Sequence, residues 1–357
     1  MKVLCTGAAG YVGCKLVPAL LADDHEVTVY DMFFFDDHLP VDGQNLVKIK
    51  ADIRDTETFR KACWNIDTVV HLACISNDPS FELDESLSRT MNYECFEPLV
   101  LAAKAAGVGR FIYCSTSSVY GISDSPDVRE DHPLVPLTLY NTYKAKCEPL
   151  LLKHRSDDFV CMILRPSTIC GYSPRQRLDL AVNILTNQAT NLRRITIFGG
   201  EQKRPNLHID DMVDCYRAVL GAPAEKVQGE TFNVGARNMT IKEIAKLVKR
   251  RVENLEEGRV WIGIATQDSM DTRSYQVNSD KIRDVLGFVP RRTVEDAVDD
   301  LWRAFQAGKL PNSLTDDRYF NVQRMRKVWA ELYAGAPPPA DPVAGPHSEI
   351  DRLRMGR

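Results

Sequence analysis

The apolar positions of this chain fall into two rhythms. Short β-favouring runs recur over 2–5, 26–30, 46–53, 67–74, 110–115 and 160–165. Such runs predict buried strands. Between them lie stretches of helical spacing. The first carries Val12, Leu16, Leu20 and Leu21; others end at Trp64, contain Asn92 and run to Ala106, or carry Tyr140, Tyr143 and Lys144. Pro18 inside the first predicts a bend or a short helix, and Asp24 is suited to its left-handed end. Strand and helix in alternation predict a parallel sheet with helices on both faces. From Ser173 the rhythm changes: a helix near 180–190, a turn at Gly199–Gly200, a strand over 231–234 that rejoins the sheet, and amphipathic helices over 241–255 and 294–305.

The first unit, M-K-V-L-C-T-G-A-A-G-Y-V-G, runs strand, glycine turn, helix, and then a second strand that ends at Asp31. Gly7 permits the sharp turn, Gly10 lets a diphosphate approach the backbone, and Gly13 lets the helix lie close on the sheet. The helix N-terminus then faces the diphosphate. An acid about 20 residues on completes the dinucleotide pattern. Asp31 suits the ribose hydroxyls and repels a 2′-phosphate, and no Arg or Lys occurs between Asp31 and Gln44. NAD is therefore the expected cofactor. The predicted fold class is α/β: a Rossmann-type doubly wound parallel sheet with a smaller, mostly C-terminal α/β substrate-binding lobe. The expected partition is 1–172, with returning segments near 207–237, for the NAD domain. Residues 173–206 and 238–330 form the substrate lobe, and 334–357 a Pro/Ala-rich tail.

Composition narrows the class. The 357 residues can bury a large core. A net charge of −4 gives no nucleic-acid surface, and no apolar run reaches the ~18 residues of a membrane span. No signal peptide is read at the N-terminus, and the ten cysteines form no C-x-x-C pair. The expected setting is cytoplasmic, with reduced thiols and no metal site.

Tyr140 and Lys144 share one helix face. A tyrosine titrates near ~10, and a nearby ammonium lowers that value. Such a phenolate can take the proton of a hydroxyl while hydride leaves the same carbon for a nicotinamide. Thr116 closes a strand where a parallel sheet opens its ligand crevice, so its hydroxyl can hold the reacting oxygen.

T-G-A-A-G-Y-V-G, H-L-A at His71–Ala73, S-T-S-S-V-Y-G, Y-N-T-Y-K and R-P-S-T-I-C-G occur in that order. Together they resemble the extended short-chain dehydrogenase/reductase family, in its nucleotide-sugar epimerase/dehydratase branch, over about residues 1 to 305. The resemblance implies a catalytic trio of Thr116, Tyr140 and Lys144. It implies cofactor contacts from Gly7, Gly10, Tyr11, Val12, Gly13, Asp31, Asp52, Ile53, Leu72, Ala73, Asn92 and Pro166, besides Tyr140 and Lys144. It further implies substrate-diphosphate contacts from Arg204 and Arg273, since paired guanidiniums suit a diphosphate. A homodimer built on helices near 97–106 and 140–154 is also implied.

The 4,6-dehydratases of that branch carry an Asp-Glu pair where this chain has Ser117-Ser118. Its decarboxylases carry Glu at the position of Ser118, and its 3,5-epimerases Cys at that of Val119. The resemblance then implies oxidation at one sugar hydroxyl, most simply C4, by a nucleotide-sugar epimerase. A 4-dehydrogenase with net NADH turnover and an oxidoreductase for a non-nucleotide alcohol are the alternatives. Leu139, Tyr143, Cys170 and the 75–83 loop depart from the epimerase pattern. Cys74 is expected near the nicotinamide, where a small buried hydrophobe and a proton carrier are both open readings.

Overall fold

A computed structural model describes residues 1–81, 83–123, 125–268 and 274–332. Arg273 and the tail at 334–357 lie outside the described residues. In chain order the strands are β1 (Lys2–Thr6), β2 (Glu26–Asp31), β3 (Leu46–Lys50), β4 (Thr68–His71), β5 (Arg110–Cys114), β6 (Val160–Pro166), β7 (Thr168–Cys170), β8 (Arg194–Phe198), β9 (Lys203–His208), β10 (Thr231–Val234), β11 (Arg237–Thr240) and β12 (Gly263–Gln267).

Seven of them form one parallel sheet in the order β10-β6-β5-β4-β1-β2-β3. The strand order reverses between β1 and β4, the switch point at which doubly wound sheets open their crevice. Side chains alternate across the sheet. Val3, Cys5, Val27, Val29, Val70, Ile112, Met162 and Leu164 enter one core, beneath the helices Gly13–Ala22 and Ile209–Leu220. Leu4, Tyr30, Val69, Phe111, Tyr113, Cys161 and Ile163 enter the other, with the helices Phe96–Ala105 and Leu139–Leu152. This period of two is why these strands read as unbroken apolar runs. A third core, built on Leu185, Ile197, Ile244, Val248 and Val298, joins the helices Ala181–Leu192, Ile241–Leu255 and Val294–Gln306.

The helix Gly13–Ala22 runs through Pro18 and is short, and Asp24 takes φ 58° after it. The helix expected through Asn92 is broken in two. A π-turn, Thr90–Glu94, separates Glu85–Arg89 from Phe96–Ala105. There the Asn92 amide clasps Ile75, accepting from its N–H at 2.8 Å and donating to its carbonyl at 2.9 Å.

His71, fully buried at the end of β4, meets Thr6 Oγ1 at 2.9 Å through Nδ1 and lies among Phe96, Phe111 and Tyr113. Burial, with Lys144 adding to it, lowers its pKa to about 3. The folded state therefore refuses a proton that the unfolded chain accepts below its ordinary value of 6.5. Stability should fall as the pH drops from 6.5 towards about 3. Urea midpoints measured across that window should fall less steeply for His71→Phe; equal slopes would remove His71 as a cause.

Candidate active site

A cavity of about 540 Å³ opens where β1 and β4 part. Gly7, Gly10, Tyr11, Val12, Gly13, Asp31, Ile53, Leu72, Ala73, Thr116, Tyr140, Lys144, Pro166 and Arg204 line it. Two expected positions do not. Asp52 gives its carboxylate to the Arg54 guanidinium at 2.6 Å, which holds its pKa below the usual range against its own desolvation. Asn92 spends its amide on Ile75 and shapes the loop from behind. Tyr11 reaches the wall, but its phenol is committed to the Gly171 carbonyl at 2.6 Å and to Asn183 at 3.0 Å.

The glycines are required by contact. Gly7 takes φ 68°, and a Cβ there would lie 2.5 Å from the Ala73 nitrogen; one at Gly13 would collide with the Ala8 backbone. Gly10 meets only the Gly7 carbonyl, at 3.0 Å, so its other side faces the cavity. Asp31 accepts from the Ala9 and Phe33 N–H groups at 2.9 and 2.7 Å, which aims its carboxylate at the cavity wall. Burial raises its pKa, and those donors oppose the rise. An open glycine turn at a helix N-terminus with an acid across from it fits a dinucleotide.

Thr138 caps the helix Leu139–Leu152 by accepting from Asn141 N–H, which sets the orientation of Tyr140 and Lys144. The Lys144 ammonium donates to the Cys114 carbonyl at 2.7 Å and lies 5.0 Å from the Tyr113 ring centre. Burial raises the Tyr140 phenol well above its ordinary pKa; Cys74, Cys114 and Asp78 add to this, and Arg177 opposes it. Burial thus outweighs the ammonium effect expected from helix spacing. Thr116 and Ser118 hydroxyls meet at 2.8 Å, and Ser118 donates to Asn141 Oδ1 at 2.5 Å. Ser118 has one hydrogen, so Thr116 is the donor in the first bond. Cys74 also lines the cavity and is half-buried.

Sequence reasoning missed Arg175, Arg177 and Asp179 of the P-R-Q-R-L-D segment, although all three line the cavity. Arg177 pairs with Asp179 at 2.9 Å, and Asn77 of the atypical loop donates to Asp179 at 3.2 Å. Two arginines two positions apart, just beyond the Gly171 turn, were the available signal.

The model of the NAD dependent epimerase/dehydratase family matches residues 3–235, well over half of the chain. The chain belongs to this family. Among curated relatives, the UDP-glucose 4-epimerase of Mycolicibacterium smegmatis is 30% identical over 314 residues, spanning 84% of this chain and 96% of that protein. The UDP-glucuronic acid 4-epimerase of Bacillus cereus, solved with UDP-glucuronic acid and NAD, is 28% identical, with a TM-score of 0.73 over 86% of this chain and 99% of its own. DesIV, a dTDP-glucose 4,6-dehydratase of Streptomyces venezuelae solved with NAD, is 25% identical, with a TM-score of 0.76 over 87% of this chain and 98% of its own. The family's cofactor is NAD, and its members here include both epimerases and dehydratases. Among the described residues, no helix is long and apolar enough to cross a membrane.

Asp31→Ala should weaken NAD binding more than NADP binding, because the ribose loses an acceptor while the 2′-phosphate loses a repelling charge. Fluorescence titration with both cofactors checks this; an unchanged preference would count against the ribose contact.

Proposed function

We propose that this protein is an NAD-dependent nucleotide-sugar epimerase that oxidises C4 of an NDP-hexose through a 4-keto sugar, with Tyr140 as the base. The observation that carries the reading is what stands after Thr116. Ser117 and Ser118 occupy the places where the dehydratases carry acids, and Ser118 is committed to Thr116 and Asn141. The cavity carboxylates Asp78 and Asp179 are engaged by Thr138 and Arg177. Proton transfer at a second sugar carbon, which loss of water needs, has no free acid in this segment.

Bound NAD would supply a reversible hydride acceptor, and inversion would follow from return of the hydride to the opposite face of the turned 4-keto sugar. Tyr140 takes the hydroxyl proton and returns it. Thr116 meets the reacting oxygen by turning its hydrogen from Ser118 to the sugar, while Asn141 keeps Ser118 in place. Arg204, which lines the cavity 5.6 Å from the Tyr275 ring, is on this reading the contact for the substrate diphosphate, with Arg273 as its expected partner. On this reading Gly7, Gly10, Tyr11, Val12, Gly13, Asp31, Ile53, Leu72, Ala73 and Pro166 hold the cofactor. The sheet, 1–172 with 207–237, serves it, and most of 173–206 and 238–330 serves the sugar nucleotide. A homodimer through the helices Phe96–Ala105 and Leu139–Leu152 belongs to the same proposal. Those helices are clamped together by Glu97, which meets Lys153 at 2.5 Å and His154 at 2.7 Å.

The test is incubation with UDP-, GDP-, CDP- and dTDP-sugars, UDP-glucose and UDP-glucuronic acid included. Sugar stereochemistry is read by NMR, and reduced cofactor by absorbance. Inversion at C4 without net NADH supports the epimerase; steady NADH accumulation replaces it with a dehydrogenase, and loss of water with a dehydratase. Tyr140→Phe should retain NAD and lose about 10²- to 10⁴-fold in kcat; normal turnover would exclude Tyr140 as the base.

Arg177 supplies a second check. Its positive charge favours the phenolate, so removing it raises the Tyr140 pKa. The deprotonated base is then lost at a higher pH. The acid limb of the kcat profile should move to higher pH in Arg177→Gln, and an unmoved limb would free Arg177 of that role.

A further inference from the structure

Arg175 is 3% exposed and lines the cavity. Its guanidinium carbon lies 3.7 Å from the Phe35 ring centre, and Nη2 donates to Asn321 Oδ1 at 2.5 Å. Its Nε–H, fully buried, meets no acceptor, and among the described residues no carboxylate pairs with it. Its acid neighbour in sequence, Asp179, is taken by Arg177. Burial, with Arg177 beside it, pulls its pKa down to about 9, against the opposing pull of Asp179, Cys14 and Asp31. A buried cation that no carboxylate pairs directly is unfavourable, and an unmet buried donor calls for a partner. Its charge is felt at Asp31 and at Cys14, in the first turn of the helix Gly13–Ala22. That turn, with Gly10 at its mouth, is where a dinucleotide diphosphate sits.

We propose that Arg175 is the counter-cation of the cofactor diphosphate, held on station by Asn321 from the C-terminal helix Asn321–Leu332. A guanidinium offers a phosphate two parallel N–H bonds, and with Nη2 on Asn321 and the plane on Phe35, Nε–H is the donor that remains without a partner. Asn321 is itself over-determined. Its N–H donates to Asp179 at 3.1 Å and its amide to Ser76 at 2.8 Å. Met325, one turn on, is buried in the core with the helix Phe96–Ala105 and lines the cavity, and Arg324 donates to the Phe34 carbonyl at 2.6 Å. The solved relatives are matched almost end to end, yet over only 86–87% of this chain, and the sequence resemblance ends near residue 305. A segment beyond that point therefore completes the cofactor end of the cavity, with Arg175 as the binding residue and Asn321 as its positioning residue.

The inference rests on NAD as the cofactor and not on the sugar chemistry. The test is calorimetric titration of the full chain, stripped of nucleotide, with NAD, ADP-ribose, adenosine and NADP. Arg175→Gln should raise the Kd for NAD and ADP-ribose in parallel, by about 10- to 100-fold for a lost charged hydrogen bond. Adenosine, which has no diphosphate, should bind as before. Arg175→Lys, which keeps the charge and loses the fork, should lose less than Gln. Asn321→Ala should raise the Kd for NAD and ADP-ribose while sparing adenosine. Equal losses for adenosine and NAD would make Arg175 a packing residue and overturn the proposal. So would an unchanged Kd, or a loss confined to NADP. Should Arg175→Gln not fold, the same comparison on Asn321→Ala and Arg175→Lys decides. Wild-type protein that binds neither NAD nor ADP-ribose would overturn the cofactor reading itself.

Discussion

The crevice depends on one close approach of backbone to backbone. Gly7 leaves β1 at φ 68° and passes so near Leu72 and Ala73 that a side chain there would stand 2.5 Å from the Ala73 nitrogen. Thr6, one residue earlier, touches His71 and receives the Ala73 N–H at 3.3 Å, so both strand ends are tied at the switch point. From that point the chain diverges: Thr116 reaches the cavity from just beyond β5, and Tyr140 and Lys144 from the helix Leu139–Leu152. A larger residue at Gly7 pushes β4 away and misplaces the whole set at once.

Beneath Thr116 the sheet is held by charge as well as by apolar burial. Arg165 on β6 forks the Glu148 carboxylate, with both side chains buried, and Glu148 also accepts from Ser115 at 2.6 Å. Arg165 continues to the Tyr120 phenol at 2.7 Å, which donates to Asn233 on β10. Such a pair stabilises only when its remaining bonds are met, as they are here. Its effect is positional: it locks β5, β6, β10 and the Tyr140 helix to one another below the reacting groups.

Much of this was legible in the sequence, for a physical reason. Buried parallel strands must be apolar on both faces, and a dinucleotide turn must have glycine where a Cβ would collide, so the Gly7, Gly10 and Gly13 spacing and the strand runs are local signals. Tyr140 and Lys144 were legible as a helix pair, but their electrostatics were not. Burial, and an arginine 37 residues further on, govern the phenol, and that follows only from folding. Asp52 and Asn92 show the same limit: each stands where the pattern puts it, but neighbours claim its side chain. Arg175 and Asn321, 146 residues apart, meet only in three dimensions, and no period or motif announces such a pair.

The thiols carry a practical consequence. All of the cysteines are free, and all are buried except Cys74 and Cys114, which both line the cavity. Burial holds the shut-in thiols above their ordinary pKa, to about 12 for Cys5, Cys14 and Cys63, far from the thiolate that alkylating reagents attack. The protein thus comes with its own chemical reporter. Burial raises the Cys114 thiol as well, so covalent labelling of the native chain falls on Cys74 at the cleft wall, and its extent registers whether that cleft is filled.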